Sequence, residues 1–317
     1  MFCAILSYKR NTERSKGPVK TQIARLKAEK NAVILAHYYA PAEVQELADY
    51  VGDSFYLAKV AKASAADVIV FCGVRFMGES AKILCPDRKV LMPDPAADCP
   101  MAHMVAEGKI EKMRASYDDL AVVCYINSTA ALKSQSDVCV TSSNAVAIVK
   151  ALPNKNIFFI PDQNLGRYVA EAVPEKNIIL NDGCCPIHAA IRAEEVEAEK
   201  ARHPEAPVLS HPECDGSVLE LSDRIGSTAE IIAYAKSDPA KEFIICTEDG
   251  VAYELLRENP DKRFIFPATR PCCADMKRNT AEALLRVLKT EENEIVLDEA
   301  VAHAALAPLD RMLELAK

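Results

Sequence analysis

Three cysteines, Cys99, Cys185 and Cys273, recur at intervals of 86 and 88 residues, each in a loop after a short apolar run. Three thiolates brought to one point invite a metal or a cluster. Structural zinc takes four ligands in closely spaced pairs, and the chain has no CxxC. An iron–sulfur cube takes thiolates, normally four. With three, one iron keeps an open position and acts as a Lewis acid toward a hydroxyl or carboxylate. That is dehydration chemistry rather than electron transfer. The competing reading is three unrelated loop cysteines. Of the twelve cysteines, Cys72, Cys124 and Cys246 sit inside apolar runs and read as small hydrophobes.

Acid–base groups occur in pairs two residues apart: His37 with Tyr39, Tyr125 with Asn127, and His211 with Glu213. Each pair ends a strand-like run, and residues i and i+2 of a strand point to the same side. His211 beside Glu213 could move a proton, its imidazole tuned by the carboxylate. His188 follows Cys185 by three and lies near the same site. Small polar residues, Ser54, Ser142 and Thr228, stand where helices are expected to begin. A helix N-terminus offers free N–H groups and partial positive charge to carboxylates and phosphates. Ordinary capping accounts for any one of them, whereas three at equivalent places favour an anionic substrate.

The elements that must position these groups repeat three times. The runs Val33–Tyr39, Ala121–Asn127 and Pro207–Glu213 are offset by 88 and 86 residues, and the helix starts share those offsets. Each copy then continues with an apolar run, a helix and a third strand at Lys89, Asn177 or Arg263 before its cysteine. Alternating strands and helices predict parallel sheets covered by helices, with right-handed crossovers. Such sheets bind ligands beyond the carboxyl ends of their strands. The expected fold is therefore α/β: three similar parallel-sheet domains around a pseudo-threefold axis, with a central active-site cavity. The expected boundaries are 20–107, 108–194 and 195–280. Residues 1–19 read as a tail, and 281–317 as one or two outer helices.

Half of the 317 residues are hydrophobic, ample for a core, and the net charge of −8 gives no basic footprint for nucleic acid. A locally positive site for an anion stays compatible with that balance. No stretch is long and apolar enough to span a membrane. The start, with a short apolar run before its charges, is unlike a secretory signal. Cytoplasmic residence is the expectation, and a disulfide framework is not.

Taken in order, the segments Leu35–Tyr39, Asp49–Ser54, Gly73–Glu79, Cys99–Ala102, Tyr125–Thr129, Thr141–Asn144, Pro161–Gly166, Cys185–His188, His211–Cys214, Ile225–Thr228 and Cys273–Lys277 resemble the quinolinate synthase (quinolinate synthetase A) family over nearly the whole chain. The resemblance implies condensation of iminosuccinate (iminoaspartate) with dihydroxyacetone phosphate to quinolinate, phosphate and water, in NAD biosynthesis. It implies a 4Fe–4S cluster on Cys99, Cys185 and Cys273 with one open iron. It implies substrate contacts at His37, Ser54, Tyr125, Ile126, Asn127, Ser142, His211, Pro212, Glu213 and Thr228. Tyr39 matches a mobile catalytic tyrosine, and His188 a histidine beside the cluster. An aspartate oxidase or dehydrogenase would supply the iminosuccinate. Two features depart from the pattern. Cys184 and Cys272 adjoin two ligands, and positions 267 and 270 are Pro and Arg where some members carry a CxxCxxC. Two other classes compete: an aconitase-type iron–sulfur hydro-lyase acting on another acid, and a non-enzymatic iron–sulfur sensor.

Overall fold

A computed structural model describes residues 17–316. Most of the expected tail lies outside the described residues; a helix already begins at Pro18. Three four-stranded sheets follow, every pairing within them parallel. The first contains β1 (Ala32–His37), β2 (Tyr50–Gly52), β3 (Val68–Cys72) and β4 (Lys89–Leu91). The second contains β5 (Leu120–Tyr125), β6 (Val138–Val140), β7 (Asn156–Ile160) and β8 (Asn177–Leu180). The third contains β9 (Val208–Ser210), β10 (Arg224–Ile225), β11 (Glu242–Cys246) and β12 (Arg263–Ile265).

The sheets share one strand order: β2-β1-β3-β4, β6-β5-β7-β8 and β10-β9-β11-β12. Each therefore has one strand more than the sequence pattern suggested. The additional strands, β2, β6 and β10, are two or three residues long. They sit immediately before the small polar helix starts, too short to show a period of their own. Their effect on function is indirect. With them in place, the chain turns outward in opposite directions from the two central strands, which creates a crevice at the carboxyl ends of those strands. His37, Tyr125 and Ser210 close the first central strand of their sheets, and Cys72, Ile160 and Cys246 close the second.

The central strands are buried on both faces, as helix-covered parallel sheets require. In the first sheet, Leu35, Ile69 and Phe71 face one core, and Ile34, Val70 and Cys72 face another. The core beneath Leu35 is continuous with that of the second sheet through Val122, Val123 and Phe158. The third sheet has separate cores around Val208 and Ile244 and around Leu209 and Phe243. The two C-terminal helices form part of these layers. Ala281–Thr290 buries Leu284, Val287 and Leu288 against the first sheet, beside the helix Pro18–Glu29. Glu299–Leu315 buries Ala305, Leu309 and Met312 in the core shared by the first two sheets.

Candidate active site

The residues just past the central strands of all three sheets line one cavity. His37, Tyr39, Tyr125, Asn127, His211 and Glu213 all reach it. Cys99, Cys185 and Cys273 reach it from the loops that follow β4, β8 and β12, and His188 lies beside Cys185. Ser54, Ser142 and Thr228 complete its polar wall. Ile126 is different: it packs into the core, and neither it nor Pro212 lines the cavity.

Local structure explains why two of the helix starts have hydroxyls to offer. Asp53 caps the helix Ser54–Ala63, accepting from Tyr56 N at 2.8 Å. Ser227 caps Thr228–Ser237 in a reciprocal capping box with Glu230. The capping duty thus falls on the preceding residue, and Ser54 and Thr228 occupy the first helical position. In the second sheet the helix starts later, at Ala145. Ser142 lies in the turn before it, where Asn144 Oδ1 accepts from Thr141 N at 2.7 Å.

Two histidines are oriented by the same backbone device. The N–H of Tyr39 donates to His37 Nδ1 at 3.2 Å, and that of Glu213 donates to His211 Nδ1 at 3.3 Å. With Nδ1 accepting, the ring hydrogen belongs on Nε2. His211 then donates from Nε2 to Ser142 Oγ at 3.1 Å. Burial lowers both imidazoles to about 3, so both are neutral near pH 7.

Glu213 takes its own short contact from a third histidine. His188 Nδ1 lies 2.8 Å from Glu213 Oε2 and 3.2 Å from Cys185 Sγ. His188 Nε2 lies 2.9 Å from Thr247 Oγ1, which lies 2.8 Å from the Tyr39 hydroxyl. The Tyr39 hydroxyl also meets Thr228 Oγ1 at 2.7 Å. A continuous hydrogen-bonded chain therefore runs from Thr228 through Tyr39, Thr247 and His188 to Glu213. Burial opposes charge on Glu213, but His188, His211 and the Tyr125 hydroxyl outweigh it and hold the carboxyl below its usual range. Its other oxygen, Oε1, is buried and has no hydrogen-bond partner among the described residues. The residue that carries this unpaired oxygen lines the cavity.

The three thiols behave alike. Burial pushes Cys99 up to about 12 and raises Cys273, with Glu213 and Cys273 adding to the effect at Cys99. Burial, then Glu213 and Cys99, raise Cys185 well above the ordinary thiol range. Such a set becomes thiolate when a positively charged metal centre offsets the repulsion. Sulfur, imidazole and carboxylate donors of Cys185, His188 and Glu213 lie within 4.8 Å of one another. Cys99, Cys185 and Cys273 at one cavity wall supply the thiol donors that a thiolate-ligated metal group takes. Of the two neighbouring cysteines, Cys184 is half-buried, and Cys272 is exposed next to Glu248 and Asp249.

Thr247, Asp162 and Glu248 escaped the sequence reading. All three are buried, and they stand one or two residues past β7 or β11. Burial, then the charge of Glu213, works against charge on Asp162, and the backbone N–H groups of Leu165, Cys185 and Asn164 work for it. A signal was available for two of them: Asp162 and Glu248 are 86 residues apart, an offset already present in the repeat.

Fold and site together define a parallel-sheet α/β protein with three cysteine loops converging on a buried acid–base cavity. The family described as quinolinate synthetase A protein matches residues 21–314. Quinolinate synthase of Clostridioides difficile (strain 630) is 50% identical over 296 residues, covering 93% of this chain and 97% of that protein. Quinolinate synthase of Caldicellulosiruptor saccharolyticus is 51% identical over 297 residues, covering 94% and 98%. That of Aquifex aeolicus is 46% identical over 319 residues, covering 98% and 99%. The chain belongs to the quinolinate synthetase A family.

Proposed function

We propose that this chain is a quinolinate synthase, condensing iminosuccinate with dihydroxyacetone phosphate and releasing phosphate and water, in NAD biosynthesis. Cys99, Cys185 and Cys273 would hold a 4Fe–4S cluster. When bound, the cluster supplies a Lewis-acidic iron for loss of a hydroxyl as water. The observation that carries this reading is the convergence of those cysteines on the cavity that also holds the unpaired oxygen of Glu213. The three sheets are taken as domains 20–107, 108–194 and 195–280 about a pseudo-threefold axis. An aspartate oxidase or dehydrogenase would supply the unstable imine, and the cytoplasm is the compartment that suits so many free thiols.

The protein groups divide the work. Ser54, Ser142, Thr228 and Asn127 bind the substrate's anionic oxygens at the cavity wall. Neutral His37 and His211 donate from Nε2 without adding a charge. Glu213 Oε1 removes a carbon-bound or nitrogen-bound proton, and His188 stabilises the carboxylate that must accept it. Tyr39, Thr247 and His188 pass protons along their hydrogen-bonded chain. Walls of Phe76, Met77, Met101 and Met276 keep the imine from water.

The test is anaerobic purification with iron, sulfide and visible-spectrum analysis, followed by assay with both substrates. About four irons and four sulfides per chain, with quinolinate formed only when both substrates are present, would establish the reading. A cluster with no quinolinate would move the function to another dehydration. Quinolinate formed without iron would remove the cluster from the mechanism.

A further inference from the structure

Each cysteine of the trio gives its backbone N–H to a carboxylate. Asp98 Oδ1 accepts from Cys99 at 2.7 Å, Asp162 Oδ2 from Cys185 at 3.0 Å, and Glu248 Oε1 from Cys273 at 2.9 Å. The second and third of these are long-range, spanning 23 and 25 residues. Asp162 and Glu248 stand two residues past the ends of β7 and β11. Each has a second oxygen committed locally: Asp162 Oδ1 accepts from Leu165 N at 2.7 Å, and Glu248 Oε2 from Gly250 N at 2.7 Å. Each carboxylate thus ties a cysteine loop to the helical turn that follows its central strand. Glu248 reaches further still. Its Oε1 pairs with Lys277 Nζ at 2.8 Å, and that ammonium donates to Tyr39 O at 2.9 Å.

We infer that Asp162 and Glu248 are positioning residues that set how Cys185 and Cys273 present their sulfurs to the bound cluster. This rests on the cluster reading given above. Neither side chain has to touch the cluster; each acts through the main chain of a ligand. A carboxylate can accept two N–H groups at once. A carboxamide of the same size cannot, because one of its ends is itself a donor. Asp162→Asn and Glu248→Gln therefore keep the volume and break one of the two ties.

Both variants and the parent are purified anaerobically and mixed with an iron chelator, and cluster absorbance is followed. Iron release is expected to be about tenfold faster in each variant, the scale of outer-sphere partners of metal ligands. A second measurement uses the iron-free chain, alkylated with iodoacetamide and mapped by mass spectrometry. Asp162→Asn should speed labelling of Cys185 alone, and Glu248→Gln that of Cys273 alone. A variant that merely loosened the fold would speed all three cysteines together, and that outcome overturns the inference. So does iron release at the parental rate from both variants. A parent chain that takes up no iron would sink the cluster reading instead, and the labelling pattern would still decide whether the loops are tied.

Discussion

The loop carrying Cys99 and the loop carrying Cys185 leave corresponding strands of two sheets and end at the same cavity, yet they are secured differently. Cys185 is tied from the end of the neighbouring strand β7 by buried Asp162, which also caps a helix. Cys99 is tied by Asp98, the residue beside it, whose other oxygen reaches exposed His103 at 2.9 Å. The position matching Asp162 in the first sheet is Val74, which lines the cavity instead. The need common to both loops is an acceptor for a cysteine N–H that folding withdraws from water. Which residue supplies it was free to differ. A long-range tie transmits the packing of the sheet to the ligand, whereas a neighbour's side chain orders little beyond its own turn.

Removing the sulfurs should have the largest effect on both loops. Cys185→Ser and Cys99→Ser should each abolish stable cluster binding, seen as loss of iron and visible absorbance. Cys184→Ser should retain both; loss of iron there would mean the wrong neighbour has been assigned. Next comes Glu213→Gln, which should leave the absorbance intact and lower kcat by about 10² to 10⁴. Near-parental turnover in that variant would reassign the base.

A stability experiment sharpens the contrast among the three strand ends, where His37, Tyr125 and His211 correspond. His37 and His211 stay neutral down to about pH 3, whereas an unfolded histidine protonates near 6.5. The unfolded chain therefore takes up protons that the native state refuses, and stability is lost as pH falls from about 6.5 toward 3. Replacing His37 by Gln should reduce the steepness of that loss by about one proton, close to 1.4 kcal/mol per pH unit. Denaturant titrations read this as a difference from the parent chain. Tyr125→Phe should leave the acid limb unchanged.

Smaller effects probe the loops themselves. A Cβ at Gly183, two residues before Cys185, would come within 2.7 Å of Pro161 O and 2.8 Å of Met104 Cβ. Gly183→Ala should cost about 1–3 kcal/mol, measured as a lower Tm. The least is expected of Asp98→Asn. Its amide can keep its oxygen on Cys99 N and turn its NH₂ toward His103, whose ring nitrogen can accept, so iron release should stay near the parental rate. Release as fast as in Asp162→Asn would erase the distinction between the two kinds of tie.

Much of this site was legible as spacing. Residues two apart after a strand-like run, as in His37 and Tyr39 or His211 and Glu213, had to share a face and a strand end. The cysteines were legible because they fall in loops at the repeat interval. Ser142 was legible as part of the small polar segment before the helix Ala145–Ala151, where Asn144 Oδ1 accepts from Thr141 N. The short strands β2, β6 and β10 were not legible, since two or three residues carry no pattern without a partner. Thr247 was hidden by chemistry as common as any surface threonine; only its contacts with Tyr39 and His188 give it a role.

What the amino-acid order determined by itself was the repeat, the alternation of strand and helix, and the residues that must emerge at strand ends. Those follow from local periodicity and from burial, which act over a few residues. Only the tertiary structure decided that His188, rather than the neighbouring His211, makes the close contact with Glu213, and that Asp162 and Glu248 serve cysteines more than twenty residues away. A hydrogen bond is decided by tenths of an ångström between groups carried by different strands or different sheets, and no spacing along one chain encodes that until those elements have packed.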